Sequence, residues 1–156
     1  MNLDRRMFIS KVCRASALCT LPGFVGVLQS CGDLGSEGNT SVKEVEVNEA
    51  GQIQIDLENA EFSVLKEVGG SVVASAPDFD NVGLLLYRAS EASLKAFSRK
   101  CTHAGAPVGK FINGVSSCPS HGSRFDTQGE ATSGPASEPL TQYTVQINGT
   151  IVTISK

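Results

Sequence analysis

Cys101-Thr102-His103 and Cys118-Pro119-Ser120-His121 each bring one thiol and one imidazole, with fourteen residues between His103 and Cys118. Together they make the donor set of a mixed two-cysteine, two-histidine iron–sulfur centre. In a [2Fe-2S] cluster of that kind, one iron takes both thiolates and the other takes both imidazoles. Thiolate is a soft, strongly donating ligand suited to iron–sulfur clusters. A neutral imidazole in place of a thiolate removes negative charge, so such a centre takes up an electron more readily than an all-cysteine ferredoxin. Zinc also accepts two cysteines and two histidines, but structural zinc sites more often group like ligands, as C-x2–4-C followed by H-x3–5-H. The alternation Cys, His, Cys, His argues against that use. A Cys/His nucleophile pair leaves the second pair unexplained.

Two loops with one donor of each kind can clamp a flat cluster from both sides. If extended, the Cys-x-His step sends Cys101 and His103 the same way. Pro119 fixes φ inside the second stretch, and Gly122 is expected to relieve crowding after the last donor. The strings Cys101-Thr-His-Ala-Gly and Cys118-Pro-Ser-His-Gly-Ser-Arg-Phe-Asp resemble the two cluster loops of Rieske proteins. Gly134-Pro135-Ala136-Ser137-Glu138-Pro139-Leu140 is similar to the proline-containing loop that covers the cluster in that family. The resemblance runs from about Val42 to Lys156 and is strongest between Cys101 and Leu140. It implies one [2Fe-2S] cluster held by Cys101, His103, Cys118 and His121.

The departures from the family pattern carry information. High-potential, quinol-oxidising Rieske proteins have an extra cysteine in each loop, joined as a disulfide; Ala106 and Ser120 stand at the matching positions. Those proteins also use a serine and a tyrosine to hydrogen-bond a cluster sulfide and a ligand thiolate. Ser123 matches the serine and is expected to contact the cofactor, whereas Phe125 replaces the tyrosine. Hydrogen bonds to sulfur stabilise the reduced, more negative cluster. The expectation is a potential inside the ~ −150 to +300 mV Rieske window but below its upper end.

The elements that must position these loops read as strands. Val42 to Val47 and Gln52 to Leu57 alternate in polarity. Phe62 to Val68 and Ser71 to Ser75, separated by Gly69-Gly70, predict a hairpin. Val82 to Ala89 is a continuous apolar run, predicting a strand buried on both faces. Leu94 to Ser98 leads into the first loop. Lys110 to Ile112, Asn113-Gly114 and Val115 to Ser117 predict a hairpin that delivers Cys118; Tyr143 to Ile147, Asn148-Gly149 and Thr150 to Ser155 predict another. No helix of four turns is signalled after residue 30. The fold class expected is all-β: Rieske-type stacked antiparallel sheets with an inserted cluster-binding subdomain at about residues 98–140, within a domain spanning residues 42–156.

The N-terminus speaks to location. Arg5-Arg6-Met7-Phe8 is a twin-arginine pattern, although Asp4 stands where Ser or Thr is usual. A 14-residue, largely apolar run follows from Ala15 to Leu28, shorter than the roughly 20 residues of a membrane span. Residues 1–30 therefore read as a secretory signal, of twin-arginine or general type. Leu28-Gln29-Ser30-Cys31-Gly32 resembles a lipobox, in which Cys31 becomes the lipid-bearing first mature residue. The alternative is an uncleaved anchor, which Lys11 and Arg14 disfavour at roughly 2.5–3.5 kcal/mol per charge near a helix centre. Residues 31–41 read as a lipidated start and flexible tether. Cys13 and Cys19 would leave with the signal. The expected location is the periplasmic side of a bacterial membrane.

Removing residues 1–30 leaves 126 residues, enough for one core and not two. The whole chain has net charge −3, and residues 31–156 about −6, so a nucleic-acid partner is not expected. Yet Leu94 to Asp126 holds five cations against one acid, which predicts a locally positive cluster tip that steers an acidic redox partner. No nucleophile–base pair stands outside the ligands, so no independent catalysis is expected. The expected function is electron transfer, as an exported, lipid-anchored carrier or redox-complex subunit. Alternatives are the Rieske subunit of a cytochrome bc-type quinol oxidase complex and a non-redox zinc module. Oxygenase ferredoxins usually work in the cytoplasm, and nothing singles out an arsenite-oxidase-like subunit.

Overall fold

The computed structural model describes residues 42–156. The signal, Cys31 and the tether lie outside these residues.

Ten strands form two sheets. In the large sheet, β1 (Lys43–Glu44) pairs in parallel with β3 (Ser71–Ala76), and every other pairing is antiparallel. Next to β3 come β4 (Asp80–Ser90), β5 (Ser93–Ser98), β9 (Gln142–Asn148), β10 (Ile151–Ser155) and β2 (Ile53–Asp56), in that order. A bridge from Val47, just past β1, to Ile53 of β2 brings the sheet's two ends together. Curling of this sort follows from strand twist, and it removes the exposed edges that an open sheet would leave. The small sheet, β6 (Ser116–Ser117), β7 (Arg124–Phe125) and β8 (Ala131–Ser133), lies in the insertion between β5 and β9.

The apolar run on β4 explains why there are two cores. Leu84 and Leu86 point into one core with Ile53, Leu65, Val152 and Ile154. Leu85, between them, points into the other with Val73, Phe97, Val108, Phe111 and Phe125. All three leucines are fully buried, as a strand covered on both faces requires. Each contributes about 1.5–3 kcal/mol by burial. The second core is the one that holds Cys101 and Cys118.

One predicted element is corrected. Phe62 to Val68 is not a strand; Ser63–Lys66 is a 3-10 turn, and no hairpin joins this segment to β3. Phe62 and Leu65 are buried while Val64 and Val68 are 44% and 59% exposed. That spacing of three is the repeat of a 3-10 turn. Both flanks of β3 are in any case already taken, by β1 and β4. The strand foreseen over Val42 to Val47 is also reduced to two residues plus the Val47 bridge. Among the described residues no helix is long and apolar enough to cross a membrane.

Candidate metal centre

Each donor loop is a six-residue turn built on the same two backbone hydrogen bonds. In the first, Cys101 N–H donates to Ala106 C=O (2.9 Å) and Gly105 N–H donates to Cys101 C=O (2.8 Å). In the second, Cys118 N–H donates to Ser123 C=O (2.8 Å) and Gly122 N–H donates to Cys118 C=O (3.0 Å). Gly105 and Gly122 occupy the equivalent place with φ of 76° and 75°, a region open to glycine at little cost. The crowding expected at Gly122 is absent, since a Cβ there would meet nothing within 4 Å. What the site requires of Gly122 is its backbone angle. The shared Cys-x-x-x-Gly spacing was the sequence signal for this repeat.

The turns divide the four donors by depth. Cys101 and Cys118 are 2% and 3% exposed and both thiols are free, whereas His103 and His121 are exposed. The expectation that an extended Cys101-x-His103 step sends both side chains one way is therefore corrected: the chain turns, so the thiol faces the core and the ring faces outward. The two imidazoles meet edge to face with centroids 4.9 Å apart. The structure thus sets both thiols in one core and both rings against each other at the surface.

The loops are braced from below and behind. Arg99 and Val108 are linked twice, by Val108 N–H to Arg99 C=O (2.8 Å) and by Arg99 Nε to Val108 C=O (3.0 Å). A bridge between Lys100 and Pro107 continues this ladder to Cys101 and Ala106. The hairpin below Cys118 turns at Asn113-Gly114, both with positive φ, as the Asn-Gly signal predicts. Ser116 Oγ donates to Gly109 C=O, fixing that hairpin against the first loop's return (2.7 Å).

Residues 134–140 lie across both loops. Thr102 Oγ1 donates to Glu138 C=O (2.7 Å), and Ala136 N–H donates to Ser123 Oγ (3.1 Å). Ser123 is fully buried, and that N–H is its only side-chain partner among the described residues. Its hydroxyl proton therefore remains to be donated. Phe125 is fully buried in the same core as both cysteines. The strings of the two loops and of residues 134–140 pointed to this neighbourhood, but not to the Thr102 hydroxyl as the tie between the first loop and the covering segment.

These features fit a binuclear cluster. Two buried thiols, two adjoining imidazoles and a buried hydroxyl with a proton to give are the donors such a cluster needs.

Comparison with known proteins agrees. A family model described as Rieske [2Fe-2S] domain matches residues 40–144. The cytochrome b6-f complex iron-sulfur subunit of Chlorobaculum thiosulfatiphilum is 39% identical over 69 residues, covering 41% of this chain and 36% of that protein. The cytochrome b6-f complex iron-sulfur subunit 2 of Nostoc sp. is 40% identical over 60 residues, covering 35% of this chain and 32% of that protein. The chain thus matches about a third of the length of these curated relatives. A solved naphthalene 1,2-dioxygenase with indole in its active site has the same fold over 65% of this chain and 25% of its own, at 18% identity and a TM-score of 0.52.

Proposed function

The chain belongs to the Rieske [2Fe-2S] family, carries one [2Fe-2S] cluster and serves electron transfer; from that premise we propose that it is an exported carrier or redox-complex subunit, tethered outside a bacterial membrane by lipid on Cys31. Cys101 and Cys118 would hold one iron, and His103 and His121 the other. When bound, the cluster takes up and releases one electron at a time.

The observation that carries this assignment is the pair of matching turns, which sink both thiols and lift both rings. Phe111, Phe125 and Leu140 pack in the core of Cys101 and Cys118 and keep water from the sulfurs. Low local polarity of that kind strengthens each remaining electrostatic contact. The exposed imidazoles offer a partner the shortest approach to the buried centre. Ser123 Oγ accepts from Ala136 N–H, which leaves its own proton free for a cluster sulfur.

The signal over residues 1–30 and tether over residues 31–41 rest on the twin-arginine and lipobox patterns. A second reading, a subunit of a cytochrome bc-type quinol-oxidising complex, is favoured by the relatives named as b6-f iron–sulfur subunits. Ala106 and Ser120, in place of the disulfide cysteines, weigh against it.

The test is spectroscopic. The purified protein should show [2Fe-2S] absorption and, once reduced, an electron paramagnetic resonance signal of mixed nitrogen–sulfur ligation, both lost in Cys101→Ser and His121→Ala. One zinc and no iron would overturn the assignment. Expressed with its N-terminus in a bacterium, the protein should partition with membranes and enter solution when Cys31→Ser is made. A Cys31→Ser protein that stays with the membrane would refute the lipid tether.

A further inference from the structure

Charge in this molecule is divided along the chain. Residues 42–91 contain ten acids against three bases, while residues 92–156 contain three acids against six bases. The two ion pairs found among the described residues, Lys43–Glu61 and Lys66–Glu58, both lie in the acidic half. The cations of the other half are thus free of carboxylate partners within the described residues. They are not equally available. Arg99 is turned onto Val108 C=O, and Lys95 contacts the Gln128 side chain. Lys110 and Arg124, both exposed, flank an open groove of about 330 Å³ lined also by Gly109, Ile112, Val115 and Ser117. Ile112 is 64% exposed and Val115 is 38% exposed, though a β-bridge between them fixes the hairpin that carries both. Two free cations beside a rigid apolar pair make a surface suited to carboxylates around an apolar residue. Ser117, which also lines the groove, precedes Cys118 in the chain.

We infer that this groove, on the flank of the cluster insertion, is where an acidic redox protein docks. The inference rests on the electron-transfer reading above and adds to it the place and chemistry of the partner. Lys110 and Arg124 pair with acidic side chains on that protein, while Ile112 and Val115 cover an apolar residue between them. The surface is small, as transient electron-transfer contacts are.

The experiment uses the cluster-loaded protein and a plant-type [2Fe-2S] ferredoxin of acidic surface as a one-electron donor, followed by stopped flow. Each ferredoxin gives up one electron and each oxidised Rieske centre accepts one. Lys110→Glu with Arg124→Glu should lower the second-order rate by about tenfold or more at low salt and flatten its ionic-strength dependence. Lys95→Glu with Lys156→Glu makes the same change in net charge elsewhere and should alter the rate by less than about threefold. Ile112→Ser with Val115→Ser should slow the reaction at high salt, where charge is screened. Reduction by dithionite, the visible spectrum and the potential should stay as in the parent for all three pairs. Equal slowing by both charge-reversed pairs, or no slowing by Lys110→Glu with Arg124→Glu, overturns the docking site while leaving electron transfer intact. A parent protein without a cluster overturns the electron-transfer reading itself.

Discussion

Phe125 and Ser123 set what the two loops can do to the sulfur atoms between them. Phe125 is fully buried beside both cysteines yet has no hydroxyl. Phe125→Tyr supplies a donor of the kind found in high-potential relatives of the family. With a net hydrogen bond of about 0.5–1.5 kcal/mol and 59 mV per 1.4 kcal/mol for one electron, the potential should rise by roughly 20–60 mV. A redox titration that returns the parent value would show that residue 125 does not face a ligand sulfur. Ser123→Ala does the opposite and more. It removes the proton that Ser123 can give to a cluster sulfur, lowering the potential, and it strands the buried Ala136 N–H, at a cost of about 1–3 kcal/mol. A lowered potential with unchanged stability would show that Ala136 N–H finds another acceptor.

Among the elements around the donors, the covering segment leaves the second donor loop no room for a side chain at Gly134. A Cβ on Gly134 would lie 2.5 Å from Ser123 Cα and 2.8 Å from Ser123 N, at φ +87°. Gly134→Ala must therefore push the second donor loop aside. Gly122→Ala has open space and carries only the strain of a positive φ, about 1–2 kcal/mol. The expected result is that Gly134→Ala purifies with a low iron-to-protein ratio and bleaches quickly, whereas Gly122→Ala retains its cluster with a slightly lower melting temperature. Equal cluster retention in the two would mean that residues 134–140 do not press on the second loop. This contrast also marks what could be read from the chain alone. The donors were legible because thiol and imidazole are rare and chemically specific. The strands of the large sheet were legible where alternation or a doubly buried run was strong, as in β2, β4 and β5. The turn at Ser63–Lys66 was not, because four apolar residues in seven fit both a strand and a repeat of three. The role of Gly134 was not, because it depends on a backbone eleven residues away in sequence.

At the scale of the molecule, a part-buried polar network joins the large sheet to the residue that precedes the first donor loop, and it contributes to the pH dependence of stability. Asp80 opens β4, Ser98 closes β5 and Tyr143 lies in β9. Tyr143 OH donates to Asp80 Oδ2 (2.8 Å), Val82 N–H to Asp80 Oδ1 (2.8 Å), and Lys100 N–H to Ser98 Oγ (3.1 Å). Burial alone would raise the Asp80 carboxyl, but hydrogen bonds from Ser98, Val82, Tyr143 and Gly83 outweigh it and hold it below its usual value. Burial first, and then the hydrogen bond to Asp80, push the Tyr143 phenol up to about 12. A lowered carboxyl stabilises the fold above its unfolded value of about 3.9 and loses that contribution as pH falls through the folded value. A raised phenol acts in the opposite sense. Its contribution is whole below about 10, the unfolded value, and is lost as pH climbs toward about 12, because the unfolded chain gives up a proton that the folded chain keeps. The melting temperature should therefore decline from pH ~10 upward in the parent. Tyr143→Phe should cost about 0.5–1.5 kcal/mol at neutral pH through the lost hydrogen bond, yet fall less steeply than the parent above pH ~10. Parallel melting curves for the two proteins across that alkaline range would show that the phenol titrates alike in the folded and unfolded chains, and that the network under the first loop does not bind its proton.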